Sequence, residues 1–438
     1  MRHSVLWGMQ ATVDRTFRVG DKCAEIAGEW VRMGILKEFH ETLRAIGTTG
    51  LPRDMNFRVP KTPDGCEDIK RALAFLQERF GKTERAQIGG NPGISALRGY
   101  RLAAGNPQSK LPYVQYVGLY PKSVQEYVQD SAEREPELRN VFNSETCIRV
   151  DAEPRTVAIE GEHKIILAYA PGRDVTDLYQ HRGGAPAGGG GRFDPYVQRL
   201  CSAVRDRGDG HVVIALAVPF PLDEGREMMS AIRQEFGHAA SIFVGVSSFR
   251  SQTGELDLAR VEEISEKILS HADIISCNET ELDDLHTALV GEGVYKDIAL
   301  PYKLKELPLR AIKMCHSADG AILEVGCNPQ TVIKSERFQE KPGEYLTEAL
   351  RLATDGATYA IDSATVGRSA SESMVRIYSN SITDRRAELF RATFQKAVER
   401  LPGGIVHVPA PFVGRPMGAL TGVGAMLDGL FLSFLMRD

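Results

Sequence analysis

Short apolar runs alternate with amphipathic stretches along the second half of the chain. The stretches 223–237 and 257–272 carry apolar residues at helical spacing, so we predict helices there. The apolar runs between and around them are predicted to be buried strands, at 211–218, 241–246, 272–277, 310–315 and 404–409. Strands that alternate with helices indicate an α/β fold with a mostly parallel sheet.

The last segment of the chain has the clearest helical pattern. After Gly424, apolar residues including Met426, Leu430, Phe434 and Leu435 recur at spacings of one, three and four. This spacing predicts a helix with a buried face that begins close to Gly424.

The first half of the chain is less regular and contains a β-rich piece at 145–174. Within it, TVAIE and KIILAYA are predicted strands joined by the turn-like GEH. The stretch 182–193 that follows is so rich in glycine that we predict a mobile surface loop there. The sequence shows no internal repeat.

Composition narrows the class of protein. With 438 residues, 42% of them hydrophobic and 25% charged, the chain is long enough for one large α/β domain with an appendage, or for two domains. A formal charge of -5 gives no basic excess, so we expect neither nucleic acid nor a membrane surface as partner. Seven scattered cysteines, without a CxxC pair, favour a reducing cytoplasm over a zinc site or a disulfide framework.

Glycines stand directly before the predicted C-terminal helix, in the run Gly422, Val423 and Gly424. Free backbone N–H groups and the positive end of a helix dipole meet at such a point, and glycine lets a ligand approach the backbone closely. This favours an anion, such as a phosphate. The alternative is a tight turn without a ligand.

An amide and an acid follow the predicted strand at 272–277: Asn278 and Glu281. At the carboxyl edge of a parallel sheet, where open α/β folds bind ligands, this pair suits a hydrated magnesium ion that grips phosphate oxygens. The alternative is a capping box, in which Asn278 is the N-cap of a helix and Glu281 its third residue.

Two stretches of the first half suit a polyhydroxylated ligand. Gly89, Gly90 and Asn91 precede an amphipathic helix, where a ligand would lie against the backbone, and Asp14 interrupts an apolar start, where a carboxylate would accept hydrogen bonds from sugar hydroxyls. The alternatives are a capped helix and a solvated turn aspartate.

In this order, the four stretches resemble the ribokinase-like sugar kinases, and most closely the branch of ADP-dependent glucokinases, phosphofructokinases and ribose-1-phosphate kinases. The resemblance covers most of the chain. It implies a three-layer αβα domain over 1–438 with a mostly parallel central sheet, and a smaller β-rich lid from about 15–60 and 140–185. It also implies Mg²⁺, ADP or ATP as phosphoryl donor, and a sugar or sugar phosphate as acceptor, in a monomer or homodimer.

The resemblance also assigns roles to residues of this chain. It implies sugar binding by Asp14 and by the residues that begin the glycine-preceded helix, an anion hole at the late glycines, and magnesium binding by Asn278 and Glu281. Arg173 would reach a substrate phosphate if it is not a solvated loop arginine. His316 and Asp319 follow a predicted strand and are expected to border the nucleotide.

The chain departs from the family's pattern where the catalytic base is expected. The residue after the anion hole should be Asp and is Ala425, which accepts no proton, so we expect severely impaired phosphoryl transfer. Asp428, one turn further on, is not an obvious substitute. The alanine is either an engineered replacement, which the intact remaining motifs favour, or the mark of a natural relative that binds without catalysis.

A second departure concerns the branch. Where ADP-dependent enzymes usually carry H-x-E, this chain has Val244, Gly245 and Val246, which leaves the metal arrangement and the choice between ADP and ATP open. The acceptor is also open among glucose, fructose 6-phosphate, ribose 1-phosphate and nucleosides. The other open interpretations are a nonenzymatic ligand-binding protein on the same fold and a nucleoside or vitamin kinase.

Overall fold

The structure, a computed structural model, describes most but not all of the chain. The described residues are 3–8, 10–46, 48, 54–60, 62–104, 111–143, 145–150, 155–169, 194–205, 210–217, 222–246, 249, 256–291, 299–317, 320–327, 332–333, 336–361, 372–381, 404–410 and 423–437. The glycine-rich stretch at 182–193 lies outside the described residues, as do Arg173, Asp319 and Gly422.

The larger of the two main sheets has eight strands in the order β15-β14-β13-β12-β11-β10-β1-β5. Pairing is parallel from β5 to β13 and antiparallel between β13, β14 and β15. The strands are β1 (Ser4–Trp7), β5 (Tyr113–Tyr116), β10 (Val212–Ala217), β11 (Ala240–Gly245), β12 (Ile274–Asn278), β13 (Ile312–Ser317), β14 (Gly320–Val325) and β15 (Ile405–Pro409).

The strands predicted from apolar runs in the second half are confirmed as β10 to β13 and β15. The sequence interpretation missed β14, which pairs antiparallel with β13 in a register that places Ser317 opposite Gly320. Gly320 at its start has φ +141°, and a Cβ there would lie 2.8 Å from Pro409 Cα, so the position requires glycine.

Helices pack on both faces of this sheet, so the parallel strands are buried on both sides. One core cluster contains Val5, Ala215 and Phe431, and a second contains Leu6, Ile214 and Leu282, so neighbouring residues of one strand point into opposite cores. The expected three-layer αβα class is therefore confirmed. No helix in the described ranges is both long and apolar enough to cross a bilayer.

The helices of the described residues, in chain order, are α1 (Cys23–Arg32), α2 (His40–Ala45), α3 (Pro63–Phe80), α4 (Asn91–Ala104), α5 (Lys122–Ser131), α6 (Glu137–Val141), α7 (Asp194–Arg205), α8 (Leu222–Phe236), α9 (Leu258–Lys267), α10 (Glu279–Leu289), α11 (Leu300–Glu306), α12 (Glu336–Glu340), α13 (Pro342–Ile361), α14 (Glu372–Ser381) and α15 (Val423–Leu435). The predicted helices at 223–237, 257–272 and the C-terminus are confirmed as α8, α9 and α15.

A second, five-stranded sheet has the order β3-β9-β8-β2-β4. Its strands are β2 (Thr12–Gly20), β3 (Asp54–Arg58), β4 (Glu84–Gly89), β8 (Arg155–Gly161) and β9 (Lys164–Tyr169); a short parallel pair, β6 (Leu119–Pro121) and β7 (Ile148–Val150), lies apart from it. The strands predicted from TVAIE and KIILAYA are confirmed as β8 and β9. Phe17, Phe57 and Leu167 point from one face into a core shared with Trp30 of α1 and Leu76 of α3.

Alternation along β2 places Asp14 and Thr16 on the face opposite to Phe17. Both polar side chains are buried. The second sheet thus has an apolar face that packs on its own helices and a face that carries Asp14.

Helices α4 and α15 pack against each other with unusually small residues at the contact. A Cβ at Gly429 would lie 2.8 Å from Ser95 Cα, and a Cβ at Gly99 would lie 2.7 Å from Ser433 Oγ. The hydroxyl of Ser95 donates to the carbonyl of Ala425 at 2.7 Å. These contacts place the first turn of α15 beside the first turn of α4.

We predict that Gly429→Ala destabilises the protein by about 2 kcal/mol or more, because the new methyl group overlaps backbone atoms of Ser95 that cannot rotate away. The free energy of unfolding, measured by urea denaturation, checks this.

Gly343→Ala is the matched control. Gly343 lies at the start of α13 with no neighbouring atom within 4 Å of an added Cβ, so the substitution should leave stability unchanged or raise it slightly. Equal unfolding free energies for Gly429→Ala and wild type would contradict the close helix contact.

Candidate functional site

The first turn of α15, which begins at Val423, lies against the end of strand β13. A Cβ at Gly424 would lie 2.7 Å from Nε2 and 3.1 Å from Nδ1 of His316, so the imidazole ring is packed directly on the glycine backbone. Only glycine allows this approach. We call this first turn, Val423 to Ala425, the helix tip.

Position 425 points away from His316, toward α4. Ala425 is buried in a small apolar cluster with Ile94 and Met426, against which Val423 also packs. The side chain expected to be an acid is therefore a methyl group among apolar neighbours.

Asn278 is the last residue of β12, and its side chain caps the N-terminus of α10. Asn278 Oδ1 accepts a hydrogen bond from the backbone N–H of Glu281 at 2.9 Å, and Glu281 Oε2 accepts one from the backbone N–H of Asn278 at 2.8 Å. This is a capping box, the alternative that the sequence left open. Asn278 is also in register with His316 on the neighbouring strand, which places both at the carboxyl edge of the sheet.

Asp428 reaches the same sheet edge from the body of α15. Its Oδ1 accepts a hydrogen bond from Ser276 Oγ of β12 at 2.6 Å, and its Oδ2 lies 3.8 Å from where a Cβ of Gly245 would be. An added Cβ at Gly245, in the stretch where the family pattern has H-x-E, would thus be in ordinary van der Waals contact with this carboxylate. The sequence analysis assigned no role to Asp428. An acidic residue inside an otherwise apolar helix was nevertheless a signal of a functional position.

Two buried carboxylates therefore lie close to each other below the helix tip. Burial raises the pKa of Asp428 to about 7, although the hydrogen bond from Ser276 opposes this shift. Burial also raises the pKa of Glu281 to about 8, with further contributions from the negative charges of Asp428 and Asp284. The repulsion acts on Glu281 because Asp428, with the lower pKa, ionises first.

Asp14 lies over the glycines that precede α4. A Cβ at Gly89 would overlap its carboxylate, so this position also requires glycine. Gly90 has φ +71°, in the left-handed region, which turns the chain from β4 into α4. Asn91, the first residue of α4, is exposed at this turn.

The carboxyl group of Asp14 has a shifted pKa. Burial raises it to about 6, while hydrogen bonds from Thr12 and Thr156 and the positive charge of Lys164 lower it. The Thr12 hydroxyl donates to Asp14 Oδ1 at 2.9 Å. The group is mostly ionised at neutral pH and is held by donors from two strands, β2 and β8.

In the structure, the site residues expected from the sequence lie in two groups. His316 connects Asn278 to the helix tip, and Asp14 lies on Gly89 before α4. Helix α4 links the groups, since its residue Ile94 packs on Ala425.

The donor atoms near Glu281 suit a hard cation such as magnesium in kind, since they are carboxylate and amide oxygens. The capping box uses one carboxylate oxygen of Glu281 and leaves the other available, and Asp428 adds a second carboxylate nearby. Within the described ranges, no group of three or more His, Cys, Asp or Glu side chains is arranged to hold a metal ion directly. In the type of their ligand atoms, Asn278 and Glu281 match what magnesium prefers, and they are the residues that would hold it.

Comparison with known proteins finds relatives by structure alone. No protein-family model and no curated protein sequence matches the chain. A reconstructed last common ancestor of ADP-dependent phosphofructokinases from Methanosarcinales matches with a TM-score of 0.56 at 14% identity, over 99% of this chain and 94% of that one. Two structures from Pyrococcus horikoshii OT3, a phosphofructokinase with AMP and a hypothetical ADP-dependent phosphofructokinase, match with TM-scores of 0.53 and 0.55 at 14% identity, each over 99% of this chain and 97% of its own. Matches at this identity establish the fold, which agrees with the resemblance seen in the sequence motifs.

We predict that Asp428→Asn makes stability less dependent on pH. Since folding raises the pKa of Asp428 and Glu281, both groups stabilise the fold fully below about pH 4, and this contribution is lost as the pH rises through about 7 to 8. The asparagine can still accept the Ser276 hydrogen bond, but it carries no charge and does not repel Glu281. The wild-type unfolding free energy should fall more than that of the variant between pH 5.5 and 8.5.

Urea denaturation in EDTA at the two pH values checks this, and EDTA prevents a bound cation from masking the repulsion. Asp130→Asn, which changes an exposed carboxylate on α5, is the matched control and should behave as wild type. A pH dependence unchanged in Asp428→Asn would show that the buried pair does not carry it.

Proposed function

We propose that this chain, which has the ribokinase-like fold of ADP-dependent sugar kinases, is a phosphotransferase that moves the terminal phosphoryl group of ADP or ATP to a hydroxyl of a sugar or sugar phosphate. The observation that carries the proposal is the position of the helix tip. It lies at the carboxyl edge of a parallel sheet, between the strand that ends in Asn278 and the helix that follows Gly89 and Gly90.

The helix tip is suited to stabilise a phosphoryl group in transfer. The first backbone N–H groups of a helix have no partner within the helix, and the helix dipole adds a partial positive charge. Among the described residues, the atoms that an added Cβ at Gly424 would meet first all belong to the His316 ring. In phosphoryl transfer, such fixed positive groups supply most of the catalysis, because charge spreads over the phosphoryl oxygens in the transition state.

The acceptor would bind between Asp14 and the start of α4. A buried carboxylate accepts hydrogen bonds from hydroxyl groups, and the exposed Asn91 offers both a donor and an acceptor. The second sheet carries Asp14, so its closure over the acceptor would exclude water, which otherwise hydrolyses the nucleotide. The sheet would then act as the lid.

Asn278 and Glu281 would hold a hydrated magnesium ion, with Asp428 as an additional carboxylate close by. When bound, the ion offsets negative charge on the phosphate oxygens. It would also relieve the repulsion between the two buried carboxylates.

ADP is the favoured donor because the structures with this fold and a similar length include ADP-dependent phosphofructokinases. Because these similar proteins are phosphofructokinases, a phosphorylated sugar is the favoured acceptor. Binding can decide both choices: the pair of acceptor and nucleotide that raises the Tm of the wild-type protein most is the preferred pair, because a ligand stabilises the state to which it binds.

A second candidate function, ligand binding without catalysis, is supported by the surroundings of Ala425. Its methyl group packs with Ile94 and Met426, an environment that suits an alanine better than an ionised aspartate. Such a protein would bind nucleotide and sugar with the same fold and transfer nothing.

We predict that Ala425→Asp raises kcat for phosphorylation of the preferred acceptor by at least about tenfold, because it places a proton acceptor beside the helix tip. Turnover is measured by the release of nucleoside monophosphate or diphosphate and by detection of the phosphorylated product.

Ala425→Asn is the matched control, since it has nearly the same size and buries a polar group at the same place without adding a base. It should stay at the wild-type rate or below it. Inertness of both the wild-type protein and Ala425→Asp with every acceptor and nucleotide, together with ligand-induced rises in Tm, would favour the binding protein.

A further inference from the structure

Two threonines hold the carboxyl group of Asp14. The hydroxyl of Thr12, two residues earlier on β2, donates to Asp14 Oδ1 at 2.9 Å. Thr156 is in register with Asp14 on the neighbouring parallel strand β8, and its hydroxyl is hydrogen-bonded to the same carboxyl group. Donors from two strands therefore meet at one buried side chain.

These contacts define the plane of the carboxyl group. The last torsion of an aspartate side chain has a broad minimum, so a single hydrogen bond leaves the group free to turn. Two donors, together with the backbone of Gly89, on which the carboxylate lies, restrict it to one orientation. An ionised carboxylate accepts about four hydrogen bonds, so about two positions stay available for hydroxyl groups of a ligand.

The same two hydroxyls favour the ionised form of Asp14. Burial raises the pKa of Asp14 to about 6, while the hydrogen bonds from the threonines and the positive charge of Lys164 oppose this shift. Removal of a hydroxyl would therefore raise the pKa further. Pairing in register places these charged side chains on the face of Asp14: Arg18 of β2, Arg85 of β4, Glu160 of β8 and Lys164 of β9.

Thr16 provides a contrast on the same face of β2. Its side chain is buried, and its hydroxyl has no hydrogen-bond partner among the described residues. Exchange of Thr16 for valine therefore changes the packing on this face without removing a donor to the Asp14 carboxyl group.

We propose that Thr12 and Thr156 are positioning residues, which hold the Asp14 carboxylate in the orientation that binds a hydroxyl of the acceptor. The inference rests on the proposed function. It extends the acceptor site from one residue to a group of three on two strands, so that acceptor binding depends on the pairing of β2 with β8. Nucleotide binding at the helix tip does not depend on these hydroxyls.

Calorimetric titration with glucose, fructose 6-phosphate and ribose 1-phosphate tests the proposal. AMP is present as a nucleotide without a phosphoryl group to transfer, and ADP is titrated separately. Thr12→Val and Thr156→Val keep a β-branched side chain but remove the hydroxyl. Each should raise the Kd of the sugar that the wild-type chain binds by about tenfold or more, as expected for a lost hydrogen bond to a charged group, while the Kd of ADP changes less than about threefold.

The pH dependence of the sugar Kd separates positioning from folding. Wild-type binding should strengthen between pH 5 and pH 7, because Asp14 ionises with a pKa of about 6. In the two valine variants this strengthening should occur at higher pH, since a donor that favours the ionised carboxylate has been removed. Each comparison uses the same sugar, so titration of a sugar phosphate itself cancels.

Thr12→Ser and Thr156→Ser restore the hydroxyl and should return the sugar Kd to within about threefold of wild type. Thr16→Val is the matched control and should leave it unchanged. Equal sugar Kd values for wild type and both valine variants, or the same loss in Thr16→Val, would overturn the inference, while the proposed function would stand.

A rise in the ADP Kd as large as that of the sugar Kd, or no recovery with serine, would also overturn the inference and assign the threonines to folding of the second sheet. Absence of binding of all three sugars by the wild-type chain would overturn the proposed function together with the inference.

Discussion

The close contact between α4 and α15 is the constraint on which the candidate site depends. Gly429 and Gly99 bring the two helix backbones together, and the Ser95 hydroxyl ties α4 to the carbonyl of Ala425. Since α4 follows Gly89, on which Asp14 lies, this contact sets the distance between the Asp14 carboxylate and the helix tip. A shift of either helix would move both halves of the site, and in-line transfer tolerates misplacement of about 1 Å poorly.

The electrostatics of the sheet edge depends on the acidic side chains that are buried below the helix tip. Asp428 and Glu281 are buried, and a proton shared between them or a cation beside them lowers the cost of their charges. His316 responds to burial in the opposite sense and loses its charge. The edge thus combines acids that favour a cation with a neutral base next to the helix dipole, an arrangement suited to phosphate chemistry.

The helices and strands could be predicted from the sequence more completely than the contacts between residues far apart in the chain. Long apolar runs identified β10 to β13, and the apolar stripe after Gly424 identified α15, because both patterns reflect burial. Strand β14 was missed, since it begins at Gly320, only three residues after Ser317, the last residue of β13. The motif residues Asn278 and Gly424 were found from local spacing, whereas their link through His316 depends on pairing between distant strands. Asp428 received no role because its partner Ser276 lies 152 residues away in the chain.

The two departures from the sequence pattern of the ADP-dependent branch both lie in or beside α15. Gly245 lies in the stretch where the pattern has H-x-E, and an added Cβ at this position would be 3.8 Å from Asp428 Oδ2. Ala425 stands where the pattern has an acid, and its methyl group completes an apolar contact with Ile94. The apolar packing at position 425 thus suits a methyl group, whereas the acid of α15 lies one turn further on, at Asp428, where the hydroxyl of Ser276 donates to it.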